Sequence, residues 1–425
     1  MSYGTFLKQK HEAPKNRYRK KKLWHWIGTH KWHLKIGVLG FSLFIAAASL
    51  ALWWFWDKPL VTPLTDLSAF RFLQHPEANH GHNKVVYGFL PYWNLNDTVL
   101  QPELTHLSYF ALTIGADGQV RLQEDGSIEP GFNKLRSEQL LDLINIAADQ
   151  DTKFELVLSQ FIADDIAAFL ASETAQERLL ETLDGVILAY PISGINIDIE
   201  LNGSSNDRQR QQLVGFMTKL RQHLDSRYKN ISISIDVYAG ASKNNQLWDI
   251  PALAPVVDYI VVMAYDFHRR TSPQAGPVAP LFGGSELWDS DINEHLRRFL
   301  EQVPREKILL GVPFYGYEWQ TENRSAQSAT IPETGSAAKI TRVKELLSKS
   351  EVLSVEQHWN EDALSPYLSY VEAGETFVLY YEDSRSLSYK LDYVNQLDLG
   401  GIAIWALGYE GDSRELWDVI SRKLD

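Results

Sequence analysis

The chain has 425 residues, 22% of them charged, a net charge of −13 and no cysteine. That length exceeds the roughly 250 residues that one α/β barrel takes, and the missing cysteine excludes disulfides, Cys-ligated zinc and thiol catalysis. So acidic a chain does not draw nucleic acid or an anionic surface through its field.

The charge is unevenly spread. Residues 1–35 hold ten Lys/Arg and one acid, Glu12, about +9, which leaves the rest near −22. Residues 36–56 then form a run of 21 without a charge, long enough to cross a bilayer as a helix. Only Ser42 and Ser49 interrupt it, and Trp26 and Trp32 before it match Trp53, Trp54 and Trp56 at its end, as interfacial belts do. A single N-terminal transmembrane helix is therefore expected over 36–56, behind a basic tail over 1–35. The positive charge before the span keeps the N-terminus cytoplasmic and places the chain beyond residue 57 outside the membrane. Ala46-Ala47-Ala48 offers a cleavage site for a signal peptide, but the long basic leader and the Trp cluster favour an uncleaved signal anchor. Residues 57–83, with Pro59, Pro63, Pro76 and Gly81, read as a spacer, in which His80 and His82 are too sparse for a metal site.

From residue 84 strand-like runs alternate with helical ones, the pattern of βα units and a parallel sheet. The runs are Val85–Trp93, His106–Ile114, Phe154–Ser159, Gly194–Glu200, Ile231–Tyr238, Tyr259–Tyr265, Ile308–Phe314 and Gly401–Trp405. Helical periodicity is clearest over Ser137–Ala148, Ile162–Leu183, Asp207–Ser226 and Asp291–Gln302. Eight such units predict an α/β fold of the (β/α)8 TIM barrel type over 84–425. A doubly wound open sheet is the alternative, and the Gly-rich phosphate loop that would signal it is missing after the first strand. Between the seventh and eighth strands, residues 320–375 are too long for a plain βα loop. With a helix over Ile340–Lys349 and a strand near Tyr367–Val371, they predict a small α+β insertion forming one wall of a cleft.

The fourth strand carries the chemistry. It reads Ser193-Gly194-Ile195-Asn196-Ile197-Asp198-Ile199-Glu200. Alternation sends Asn196, Asp198 and Glu200 to one face and the three isoleucines to the other. A solvated polar face is the ordinary explanation of such a strand. Here the apolar run Val186-Ile187-Leu188 upstream points to a central strand, and the acidic pair falls at its C-terminal end, where barrels house their active sites.

This stretch resembles the Asp-Gly-x-Asp-x-Asp-x-Glu signature of glycoside hydrolase family 18, the chitinase-like family, with Ser193 and Asn196 in place of the first two Asp. The Gly-x-Asn-x-Asp-x-Glu form resembles the peptidoglycan-acting, spore-germination type branch. Met263-Ala264-Tyr265-Asp266, Gly311-Val312-Pro313-Phe314-Tyr315-Gly316, Gly400-Gly401-Ile402-Ala403-Ile404-Trp405 and Tyr87-Gly88-Phe89 with Tyr92-Trp93 match further family motifs in order. So do the germination-type stretches Gln357–Glu361, Ser365–Tyr367 and Tyr381–Ser386.

The resemblance implies a glycosidase acting on β-1,4-linked N-acetylglucosamine polymers, chitin or peptidoglycan, with no metal and no organic cofactor. Most retaining glycosidases use two protein carboxylates, whereas in this family the substrate's 2-acetamido group acts as nucleophile. Glu200 is then the general acid, Asp198 orients the acetamide, and Tyr265 donates its hydroxyl to the acetamide oxygen. Asn196, Asp266, Trp405, Tyr92 and Tyr315 are the implied substrate-binding residues, Trp405 as a floor under the sugar. Asn196 can still hydrogen-bond but cannot change charge as an Asp would, so an altered pH optimum is expected. The alternative is a lectin-like glycan binder, in which the acidic end of the motif is typically replaced; Asp198 and Glu200 are both retained. The expected partners are a polysaccharide and, through 36–56, a membrane, with no nucleic acid. The expected place is extracytoplasmic, on a bacterial cell membrane.

Overall fold

The computed structural model describes residues 84–424 apart from 124, 244 and 245. The tail, span and spacer expected over 1–83 lie outside the described residues. Among the described residues no helix is long and apolar enough to cross a membrane.

Eight parallel strands close into a barrel. Seven come in succession: β1 (Val85–Pro91), β2 (His106–Thr113), β3 (Lys153–Gln160), β4 (Ile192–Ile199), β5 (Ser232–Tyr238), β6 (Tyr259–Met263) and β7 (Ile308–Pro313). A five-stranded antiparallel sheet follows: β8 (Tyr315–Thr321), β9 (Ser336–Lys339), β10 (Glu356–Asn360), β11 (Ser365–Glu372) and β12 (Glu375–Tyr380), in the order β10-β11-β12-β8-β9. The eighth barrel strand, β13 (Gly401–Trp405), then pairs with both β7 and β1 and closes the ring.

The chemistry of the strands explains their two-sided burial. On β4, Ile195, Ile197 and Ile199 are all but inaccessible and pack in the layer between barrel and helices. The opposite faces fill the barrel interior, whose apolar part is Tyr87, Phe89, Phe110, Val157, Val261, Leu309 and Ala403. Helices start where a side chain accepts an otherwise unpaired N–H. Ser137 does this for Glu138–Asp149, Asn206 in a capping box with Gln209 for Asp207–Arg227, and Asp291 for Ile292–Leu300.

The one expected helix that changes is Ile162–Leu183. It is two helices, Ala163–Ala171 and Glu173–Ala189, because Ser172 is extended (φ −110°) and accepts from the Ala175 N–H as the cap of the second. Hydrophobic periodicity runs through the break, and only the cap marks it.

The antiparallel sheet carries a helix at Ile340–Ser348. Its strands run from Tyr315 to Tyr380, because β8, directly after β7, pairs along its length with β12 (Tyr317 with Tyr380, Thr321 with Thr376).

Candidate active site

Period-two alternation on β4 sends Gly194, Asn196 and Asp198 inward. Asn196 is fully buried and Asp198 is 3% exposed. Glu200 stands one residue beyond the strand, its N–H held by the Gln160 carbonyl at 3.0 Å. Its carboxyl lies close enough to Asp198 and to the Tyr238 hydroxyl at the end of β5 for each to bear on its titration, and that hydroxyl donates to Asn202 Oδ1 at 3.2 Å. Two neighbouring carboxyls in a desolvated site favour one shared charge over two.

The electrostatics agree. Burial pushes the Asp198 carboxyl well above the usual carboxylate range, and the charges of Glu200 and Asp236 push it further. Burial likewise raises Glu200; the nearby Tyr238 hydroxyl and Asp198 pull it back, the charge of Asp266 pushes it up and that of Arg269 pulls it down. Desolvation disfavours the charged form of any carboxyl, and a raised carboxyl is what a general acid near neutral pH requires.

Tyr265 follows β6, and burial raises its hydroxyl well above its ordinary value, so it stays protonated and able to donate. Gly311 on β7 makes room for it: a Cβ there would stand 3.0 Å from the Tyr265 ring and 2.6 Å from the Val262 carbonyl. Asp266 adopts φ 60°, the left-handed region that non-glycine residues enter at a cost and that clusters at functional sites. Two hydroxyls from the inserted sheet hold it: Tyr317 donates to Oδ1 at 3.1 Å, and Tyr315 donates to the same oxygen. Tyr265 and Trp405 both pack against the apolar face of that sheet, which includes Tyr315 and Trp319.

Trp405, the last residue of β13, lies edge-on to Phe110 at 4.6 Å and 5.9 Å from Phe89. Phe110 also touches Trp93 at 6.0 Å and stacks on Phe161 at 6.4 Å. Trp93 and Phe161 are 49% and 48% exposed, so the aromatic row continues onto the open surface.

The structure thus gathers Asn196, Asp198, Glu200, Tyr265, Asp266, Tyr315 and Trp405 at one mouth. Tyr92 stands apart. The short 3-10 turn Tyr92–Asn94 packs its ring against the layer outside the barrel, and its neighbour Trp93 takes the rim position. Sequence reasoning missed the contribution of β5. Ser232, Ser234, Asp236 and Tyr238 alternate with Ile233, Ile235 and Val237 in the same period as the β4 motif, which is the signal that points to them. Asp236, 2% exposed, accepts from Asn196 Nδ2 at 2.8 Å, and the same amide donates to Ser234 Oγ at 2.9 Å.

Below this layer lies a second buried acid. Glu155 on β3 accepts from the Tyr87 hydroxyl at 2.6 Å and from Ser232 Oγ at 2.8 Å. The Tyr87 hydroxyl also lies 2.8 Å from Ser108 Oγ and 3.3 Å from Ser234 Oγ. His106, 3.9 Å from Glu155, is pushed down to about 3 by burial and then by Lys153, so it is neutral and forms no ion pair.

A closed parallel barrel with paired carboxyls at the C-terminal ends of its strands, an aromatic floor and an aromatic rim defines a carbohydrate-cleaving barrel enzyme. The chain matches the Glycosyl hydrolases family 18 over residues 76–410 and belongs to that family; it is a glycosidase. It is 24% identical over 322 residues to a cortical fragment-lytic enzyme of Bacillus anthracis, an alignment spanning 73% of this chain and 66% of that one. Its fold is similar to the spore cortex-lytic enzyme SleL of Bacillus megaterium (TM-score 0.63, 20% identity, 83% of this chain and 76% of that one). It is also similar to the Group IV chitinase of Ostrinia furnacalis crystallised with allosamidin (TM-score 0.66, 21% identity, 80% and 97%).

Proposed function

We propose that this glycosidase cleaves β-1,4-linked N-acetylglucosamine-containing polysaccharide by substrate-assisted, retaining catalysis, and that its substrate is cell-wall peptidoglycan before chitin. The observation that carries the mechanism is the pairing of buried Asp198 with half-buried Glu200 at the mouth of the barrel, two carboxyls raised by desolvation. Glu200 gives its proton to the glycosidic oxygen as the bond to the anomeric carbon breaks. The acetamido oxygen of the same sugar attacks that carbon and forms an oxazolinium ring, so the electron pair comes from the substrate. Asp198 holds the acetamide N–H and offsets the positive charge, and the Tyr265 hydroxyl steadies the acetamide oxygen. Water then adds at the anomeric carbon, its proton passing to Glu200, as the bond from that carbon to the acetamido oxygen breaks and the acetamide is restored. Asp266 is positioned to bind a sugar hydroxyl, and Trp405 gives the sugar an apolar floor.

The wall-glycan preference is supported by the cortex-lytic relatives and by the germination-type stretches. The sequence of 1–56 supports an anchor across a bacterial membrane with the barrel outside, which would hold the enzyme beside the wall; fractionation of cells with protease digestion from outside checks it.

The mechanism is tested with N-acetylglucosamine oligomers and their de-N-acetylated counterparts, with product anomers followed by NMR. We expect the acetylated oligomers to be cleaved with retention and the deacetylated ones left intact. Cleavage of both, or inversion, overturns the acetamide nucleophile.

A further inference from the structure

We propose that Asp236 is a positioning residue of this reaction: a third buried carboxyl, beside Asp198 on the neighbouring strand, that keeps the proton on the Asp198–Glu200 pair. The inference rests on the proposed role of that pair in hydrolysis. The register supplies the geometry. β4 and β5 run parallel with Asn196 opposite Ser234 and Ile197 opposite Ile235, so the next inward pair is Asp198 beside Asp236, at the roughly 4.8 Å spacing of adjacent strands. Both side chains are buried.

Two such carboxyls cannot both ionise cheaply in a dry interior. Asn196 breaks the tie. Both protons of its amide are committed, one to Asp236 Oδ1 and one to Ser234 Oγ, while Asp198 Oδ1 is buried without a partner. A hydrogen bond to the charged form favours that form, so of these two carboxyls, both raised by burial, Asp236 gives up its proton before Asp198 does. The column beneath fixes Asn196: Ser234 Oγ is tied through the Tyr87 hydroxyl to Glu155. The titratable groups that bear on Asp236 are Tyr87 on β1, Glu155 on β3, Asp198 and Glu200 at β4 and Tyr265 beyond β6. Burial raises the Asp236 carboxyl well above the usual range, the amide of Asn196 pulls it back, and the charges of Glu200 and then Glu155 push it further up.

The test is Asp236→Asn in the full chain. The new amide still offers Asn196 an acceptor oxygen, so the hydrogen bond survives while the charge is removed. Loss of a neighbouring anion lowers Glu200, so the alkaline limb of the kcat/KM profile should move to lower pH. KM for a short oligomer should stay within about twofold, and kcat/KM at neutral pH should fall roughly tenfold. The midpoint of the Glu200 carboxyl, followed by carbon-13 NMR and assigned with Glu200→Gln, should move the same way. Asp236→Ser serves as a second variant should the first lower the melting temperature. An alkaline limb and a Glu200 midpoint that both stay put, with kcat lowered evenly at all pH, would show Asp236 to be structural only and overturn the proposal. A wild-type chain that cleaves no such oligomer removes the functional reading, and the Glu200 midpoint still decides the role of Asp236.

Discussion

Gly194 shows how tightly single residues are specified at this site. Its Cβ position lies 2.2 Å from Ser232 Oγ and 2.4 Å from Glu155 Oε1, inside the carboxyl that Tyr87 and Ser232 pin. The glycine of the β4 motif is therefore there to admit Glu155. Gly194→Ala should destabilise the barrel by about 1–3 kcal/mol, the usual range for overpacking, read as a lower midpoint in urea unfolding; an unchanged midpoint would mean that Glu155 yields freely. The inward face of β4 was legible because period-two alternation separates the polar residues from the isoleucines, and the apolar run Val186-Ile187-Leu188 marked the strand as central. Asp236 sits in the same alternation on β5 but in no recognised motif, so it passed unread. The Tyr92–Trp93 pair was not legible to the residue, because the backbone of a three-residue turn decides which ring faces the mouth.

Among the elements, the stretch Tyr381–Ser386 has a structural use that its resemblance did not disclose. Asp383 caps the helix Ser384–Leu397 in a capping box with Ser386. Glu382 reaches Lys390 on that helix, with Nζ–O distances of 2.9 and 3.0 Å and both side chains almost wholly buried. Nearby, Arg385 lies 3.7 Å above the Trp359 ring of the inserted sheet. Replacing Lys390 by Met leaves Glu382 buried without its cation. We expect a loss of about 3–5 kcal/mol and a lower melting temperature, and the double variant Glu382→Leu/Lys390→Met should recover much of it. Loss of nothing in the single variant would show that the pair is dispensable. The barrel strands were legible to within about two residues because burial on both faces writes apolar runs, whereas the pairing of β8 with β12 is a long-range contact that no local pattern carries.

At the scale of the molecule, the fold stores unfavourable charge where it works. Asp198, Glu200, Asp236 and Glu155 are all raised by burial. A carboxyl raised on folding holds its proton in the native state after the unfolded chain has lost it, so stability falls as pH climbs from the ordinary carboxylate range towards the raised value. Asp198→Asn removes one such cost. The variant should melt above the wild type, and the gap should widen between about pH 4 and pH 8, while hydrolysis is lost. A gap that is constant with pH would argue against a raised Asp198. The most direct test of the account is hydrolysis of purified peptidoglycan and of chitin oligomers by the wild type and by Glu200→Gln, with products read by mass spectrometry. We expect cleavage after N-acetylglucosamine, strongest on peptidoglycan. In the variant turnover should fall by about 10²–10⁴-fold, the share usual for a general acid, with glycan binding retained. Equal turnover in the variant, or binding without cleavage in both, would contradict it.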